Sequence, residues 1–122
     1  MTDRPSNFEA ARGFAEFGLR ERQAGRRESA SGPGSTLEAA APAIELLRHV
    51  LLHDRPETVL DLGCGDWNWM RTMGLPHPEG GAPLRYTGWD ASEALVAELQ
   101  ASHGQPGRID FELRDITTAP LP

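Results

Sequence analysis

Apolar residues recur at two periods along this chain, and the two periods separate strands from helices. Thr58-Val59-Leu60-Asp61-Leu62 is a short apolar run with a β-branched start, bounded by Pro56 and Gly63, and it predicts a buried strand. Leu84 to Trp89 predicts a second strand that ends at Asp90, and Ile109, Phe111 and Leu113 alternate with polar residues in a third that reaches Asp115. Between the strands the spacing becomes helical. Ile44, Leu47, Val50 and Leu51 share one face of a helix predicted from about Leu37 to His53. Thr36 is its expected N-cap; Pro42, near the first turns, is either tolerated there or marks a late start. Asp66 to Met73 is predicted helical, with Trp67, Met70 and Met73 turned inward. Ser92 caps a further helix carrying Leu95, Val96 and Leu99. Near the start, Phe8, Ala11, Ala15 and Leu19 form a helical stripe, but Gly13, Gly18 and Gly25 predict a short or interrupted helix.

The order helix, strand, helix, strand, helix, strand implies an α/β fold: a Rossmann-like parallel sheet with right-handed crossovers and helices on both faces. At 122 residues the chain has room for one domain and a sizeable core. Ser29 to Thr36 and the Pro/Gly-rich stretch from Gly74 to Pro83 read as loops.

Charge and cysteine content then narrow the class. The formal net charge of −6 argues against a surface made to neutralise phosphates, so no nucleic-acid partner is indicated. No apolar run approaches the roughly 18 residues of a spanning helix, and the first residues lack an apolar signal core, which makes the cytoplasm the default location. The single cysteine, Cys64, allows no intrachain disulfide and no thiolate metal cluster. With no base beside it in sequence, it reads as a small buried residue rather than a nucleophile. His49 and His53 have a metal-compatible i, i+4 spacing, but no H-E-x-x-H surrounds them and no further ligand is evident, so no metal site is assigned. The basic cluster Arg20, Arg22, Arg26 and Arg27 is either a solvated helix face or a contact for an anionic substrate.

The chemistry concentrates at the strand ends. Asp61 closes the first strand ahead of Gly63-Cys64-Gly65, Asp90 follows the second strand, and Asp115 follows the third. In an open α/β sheet the ligand crevice lies at the carboxyl ends of the strands, so three strands deliver carboxylates to one edge. A carboxylate after the second strand is placed to accept from ribose hydroxyls. A dinucleotide fingerprint would need G-x-G-x-x-G. Here Asn68 stands in the third glycine's place, and Asp66 puts negative charge where a pyrophosphate needs the opposite. An acid ahead of the glycines suits a cationic or zwitterionic ligand better.

These segments resemble a known family. Val59-Leu60-Asp61-Leu62-Gly63-Cys64-Gly65-Asp66 resembles the first motif of class I S-adenosylmethionine-dependent methyltransferases, Tyr86-Thr87-Gly88-Trp89-Asp90 their second, and Arg114-Asp115-Ile116-Thr117 their third. The segment from Glu28 to Thr36, followed by Cys64-Gly65-Asp66-Trp67-Asn68-Trp69-Met70, is similar to a bacterial subgroup in which S-G-x-G-S precedes C-G-D-F-N-W-M. The resemblance spans residues 28 to 122 and implies S-adenosyl-L-methionine as cofactor. Asp61, Gly63, Cys64 and Gly65 would line its amino-acid part. Asp90 would bind the ribose hydroxyls, with Trp89 or Ala91 beside the adenine. Asp115 would face the adenine amino group, and Ile116 would help hold the ring. Ser31, Gly32, Gly34 and Ser35 would fold over the cofactor carboxylate. Residues 1–35 would then be a helical and loop segment capping the cofactor site, and 36–122 the N-terminal half of a methyltransferase domain.

The resemblance implies methyl transfer to an unidentified acceptor, a small molecule or a glycan. The family's acceptor-facing residues commonly come from the fourth strand onward, so no catalytic residue is named. The alternative is a cofactor-binding half-domain without catalysis of its own: a fragment, a pseudoenzyme or a module completed by a partner. A nicotinamide dehydrogenase is a weaker third reading. The resemblance also implies that this chain holds only the first three of about seven strands. Its first strand would then be an exposed sheet edge, through which self-association is expected.

Overall fold

The computed structural model describes residues 7–122; the start of the N-terminal segment, residues 1–6, lies outside them. Three helices, α1 (Asn7–Gln23), α2 (Ala41–His53) and α3 (Glu93–His103), accompany three strands, β1 (Thr58–Leu62), β2 (Arg85–Asp90) and β3 (Ile109–Leu113). The strands form one parallel sheet in the order β1-β2-β3. The fold is thus a small α/β unit, an open three-stranded parallel sheet flanked by helices. No helix of the described residues is long and apolar enough to cross a membrane.

The register explains the core. Val59 pairs with Tyr86 and Tyr86 with Ile109; one row on, Asp61 pairs with Gly88 and Gly88 with Phe111. Paired residues in a parallel ladder point to the same face. That face carries buried Tyr86, Ile109 and Phe111, against which Leu51 of α2, Leu99 of α3 and Trp67, Met70 and Met73 pack. The aromatic rings of Trp67 and Phe111 meet edge-on at 5.3 Å. The expectation of helices on both faces is narrowed accordingly, because α2 and α3 pack on this one face. Right-handed crossovers that step steadily in one direction, β1 to β2 to β3, deliver every connection to the same side. The opposite face, bearing Thr58, Leu60, Arg85, Thr87 and Glu112, holds an open depression of about 320 Å3.

Three local expectations need correction. First, α1 is continuous over 17 residues despite Gly13 and Gly18. Tertiary contact overrides propensity here: Gly18 lies against the backbone of Ala30, and Ala15, Ala30 and Leu95 form a second buried cluster that docks α1 on α3. Second, α2 begins at Ala41 rather than Leu37. Thr36 does accept a hydrogen bond from Ala39 N at 3.1 Å, but this closes a preceding turn, and Pro42 marks the late start at the first helical positions.

Third, Asp66 to Met73 is not one helix; a short 3-10 turn covers only Met70–Met73. Trp67 has φ +64°, in the left-handed region that ends right-handed helical continuity. The inward placement of Trp67, Met70 and Met73 nevertheless holds, each being buried. Ser92 caps α3 as its position predicts, accepting from Leu95 N at 3.2 Å.

Candidate functional site

The site is built where β1 ends and the chain turns back under β2. Gly63 N and Cys64 N both donate to Trp89 O, at 2.8 and 3.0 Å, and Gly65 N donates to Asp90 Oδ2 at 3.0 Å. The turn Gly63-Cys64-Gly65 is therefore braced on β2 by all three of its amides. Gly63 (φ +78°) and Gly65 (φ +59°) adopt left-handed conformations that make this path possible.

Two carboxylates meet this turn. Asp61 accepts the hydroxyl of buried Tyr86 on Oδ2 at 2.6 Å. Burial pushes the Asp61 carboxyl above its ordinary range; the Tyr86 hydrogen bond opposes that shift and the charge of Asp90 adds to it. Asp90 accepts from Gly65 N on one oxygen and from Ser92 N on the other, the latter at 2.9 Å. Burial, followed by the charges of Asp90 and Asp61, drives the Cys64 thiol far above its usual value. Burial and the Asp61 charge do the same to the Tyr86 phenol. Both groups are held protonated at neutral pH.

A third layer comes from the N-terminal segment. Ser31 Oγ accepts from Asp66 N at 2.8 Å, beside Gly65, where a Cβ would come within 2.3 Å of that oxygen. Gly32 is buried at φ +103° and donates its amide to Ser29 O. Ser35 offers its carbonyl to Asn68 Nδ2 at 2.8 Å, so it is held by the neighbouring loop rather than by the glycine turn. The first helix contributes Arg22, which reaches Asp66 at 3.2 Å and also pairs with Glu98. Arg26 pairs with Glu21, and Arg27 lies over the Phe17 ring at 4.9 Å. Among the described residues, Arg22, Arg26 and Arg27 of the basic cluster thus have partners within the chain.

Asp115 stands further along the strand ends. It accepts from Thr117 N at 2.9 Å, the Thr117 hydroxyl at 2.6 Å and Asn7 Nδ2 at 2.8 Å. These bonds, led by the Thr117 hydroxyl, lower its pKa. Ile116 beside it is exposed, and Ala91 is half-buried between Asp90 and the α3 cap. Trp89 takes the opposite side of the sheet, its indole donating to Glu112 at 3.1 Å. The direct hydrogen bonds therefore link Asp61 to Tyr86, Gly65 to Asp90 and Ser31 to the backbone of Asp66, whereas Asp115 and Thr117 are tied to Asn7 at the start of α1. An apolar groove of about 310 Å3 between α2 and β1, lined by Leu46, Leu47, Val50, Leu60 and Met70, ends at Asp61.

Two contributors were not visible in sequence. Tyr86 orients Asp61, and Asp66 gathers the N-terminal segment. The signal for the first is the Tyr86-x-Gly88 spacing: a Cβ at Gly88 would lie 2.9 Å from the Tyr86 oxygen and 3.0 Å from Cys64 Sγ, so the glycine opens the room in which Tyr86 reaches Asp61.

Comparison with known proteins supports the fold and corrects the family. No family model matches the chain, and no curated protein matches it. Among solved structures the chain is similar to the crystal structure of the [4+2]-cyclase SpnF, with 20% identity and a TM-score of 0.59. That likeness is one of fold. It covers 100% of this chain and 47% of SpnF, so the chain spans about half the length of the structure it matches. The sequence resemblance to class I S-adenosylmethionine-dependent methyltransferases, and to the bacterial S-G-x-G-S subgroup, is therefore not upheld. The structure supplies a reason why the motif-like run can arise without common family. Trp67 and Met70 serve the core, Asp66 and Asn68 serve loop packing, and the glycines serve the bracing of the turn on β2.

Proposed function

We propose that the carboxyl edge of β1 and β2 binds S-adenosyl-L-methionine, and that the chain acts in methyl transfer to a small-molecule or glycan acceptor. One observation carries this reading: the amides of Gly63, Cys64 and Gly65 are all spent on β2, while Asp61 and Asp90 stand together at the same turn. A pyrophosphate needs free N–H donors and positive potential; this turn offers carboxylates instead. A ligand bearing a sulfonium and an ammonium group suits it. The residues present fit such a ligand, with Asp61 facing the cationic amino-acid end and Asp90 presenting its remaining lone pairs to ribose hydroxyls. Asp115, Ile116 and Ala91 would receive its adenine, and glycine at 63 and 65 would leave the ligand room beside the turn.

When bound, the cofactor supplies an activated methyl group. The chain's own residues bind and orient. Tyr86 fixes the Asp61 carboxylate and the glycine turn fixes Asp90.

A second reading, ligand binding without catalysis by this chain, is favoured by the state of Cys64 and Tyr86. Both are held protonated beside the acids, so neither serves as a general base at neutral pH. Fold does not decide between the readings, since the similar solved structure is named for a cyclase. Calorimetric titration of the chain with S-adenosylmethionine and, separately, with NADH tests the binding proposal. Saturable binding of the first and none of the second is expected; the reverse result overturns it.

A further inference from the structure

We infer that Asn7 is a specificity-determining residue: its side-chain amide holds the Asp115 carboxylate oxygen that the exocyclic amine of a ligand base would take. This rests on the reading above, in which Asp115 receives the adenine, and adds an internal competitor that sets how strongly the amine is selected.

The two oxygens of Asp115 have different partners. Oδ1 accepts from Thr117 N at 2.9 Å and from the Thr117 hydroxyl at 2.6 Å, both supplied by the local turn. Oδ2 accepts from Asn7 Nδ2 at 2.8 Å, from 108 residues away in the chain. The same nitrogen donates to Thr117 Oγ1 at 3.0 Å, so both amide hydrogens are spent on the Asp115–Thr117 pair. After the two Thr117 bonds, Asn7 adds to the lowering of the Asp115 pKa, and the group that accepts from it at neutral pH is the ionised carboxylate. An asparagine amide and the amino group of adenine present the same donor: a planar NH2 on a trigonal carbon, with two hydrogens to give. Asn7 therefore satisfies Oδ2 with the chemistry that an adenine would bring.

The attachment of α1 lets this contact open by itself. The buried residues of the helix are Ala15 and Gly18, and its last turn is anchored by Arg22 on the Asp66 carboxylate. Residues 7–10 are exposed. Gly13, with open space around it, stands between this exposed start and the docked half, at the lowest helix propensity short of proline. Asn7 can thus leave Asp115 while α1 stays docked on α3. A competing contact of this kind lowers the apparent affinity of a ligand by the fraction of chains in which the oxygen is free. A base without an amine has no use for that oxygen and leaves Asn7 where it is.

The test compares S-adenosylhomocysteine with its analogue carrying hydrogen in place of the exocyclic amino group. Both are titrated calorimetrically into the full chain and into the variant Asn7→Ala, with circular dichroism confirming the fold. The variant should bind S-adenosylhomocysteine about fivefold more tightly or better, the size expected when a hydrogen bond no longer has to be broken, and the analogue within about twofold of the unaltered chain. In isotope-edited NMR spectra of the unaltered chain, which read Asn7 without any substitution, its side-chain amide should shift saturably with S-adenosylhomocysteine and stay in place with the analogue. Equal tightening for both compounds would make Asn7 a general obstruction and overturns the assignment. An unchanged or weakened affinity of the variant for S-adenosylhomocysteine overturns it as well, as does an Asn7 amide unmoved at saturation. Binding of S-adenosylhomocysteine by the variant alone supports the competition. If neither protein binds either compound, it is the underlying reading that falls.

Discussion

The Tyr86 hydroxyl donates to Asp61 Oδ2 at 2.6 Å across the β1–β2 ladder, through space that Gly88 leaves open. Asp61 is opposite Gly88 in the register, and Tyr86 precedes that glycine on the same face. The bond orients a carboxylate whose pKa burial has raised, and it partly offsets that rise.

Asp61 is accordingly a site at which stability and binding oppose each other. Its folded-state pKa lies above its unfolded value, so the folded chain binds the proton more tightly, and this group's contribution improves as pH falls through the folded pKa. At neutral pH the ionised carboxylate is a net cost to the fold. Asp61→Asn keeps an acceptor for Tyr86 and removes both the buried charge and its repulsion with Asp90. The expected result is a higher urea midpoint at pH 7, an advantage that shrinks as the pH is lowered through the Asp61 titration, and loss of S-adenosylmethionine binding. Urea curves across pH, paired with calorimetry, check both halves.

Gly65 and Gly63 both have positive φ but differ in their surroundings. A Cβ at Gly65 would strike Ser31 Oγ at 2.3 Å, whereas one at Gly63 meets nothing within 4 Å. Gly63→Ala should lose only the left-handed backbone penalty, about 1–2 kcal/mol. Gly65→Ala should lose more than that and displace Ser31. Denaturant unfolding of the two variants side by side gives the comparison; equal losses would show that Ser31 does not occupy this place.

Two glycines within α1 separate in the same way. Gly13 has open space around its Cβ direction, while a Cβ at Gly18 would sit 1.9 Å from Ala30 O. Gly13→Ala should stabilise the chain by up to about 1 kcal/mol through helix propensity. Gly18→Ala should force α1 off the 29–31 segment, a change read as faster proteolysis within residues 7–32 and a lower unfolding midpoint.

The strands were legible from sequence because each is a short apolar run between breakers; β1 and β3 fall on the residues their patterns predict. The glycine turn and the acids at the strand ends were legible for the same reason, since Gly63, Gly65, Asp61 and Asp90 are local in their logic. What stayed hidden depends on distant partners. The continuity of α1 comes from Gly18 meeting Ala30. The broken path after Asp66 arises because its carboxylate serves Ser29, Ala30 and Arg22 while Trp67 turns left-handed. Motif likeness misled on family for a related reason: Trp67, Asn68 and Met70 are all accounted for by packing and loop hydrogen bonds that many α/β chains could need.

Within the described residues β1 pairs only with β2, and Leu62 at its end is 45% exposed. Together with the open sheet face, this edge predicts concentration-dependent self-association of the chain. Sedimentation velocity over a hundredfold range of concentration should show a rising sedimentation coefficient, reduced by a Leu62→Lys substitution. A monodisperse monomer throughout would remove the edge as an association site.

The most direct test of the central claim is residue-resolved: amide chemical shifts of the isotopically labelled chain, followed by NMR as S-adenosylmethionine is added. Binding at the carboxyl edge of β1 and β2 predicts saturable shifts at Cys64, Gly65, Asp66, Asp90 and Ala91, with Thr58 and Arg85 at the far ends of the strands unmoved. Saturation of the titration with those five amides unshifted, or shifts confined to the open face around Thr87 and Glu112, would contradict it.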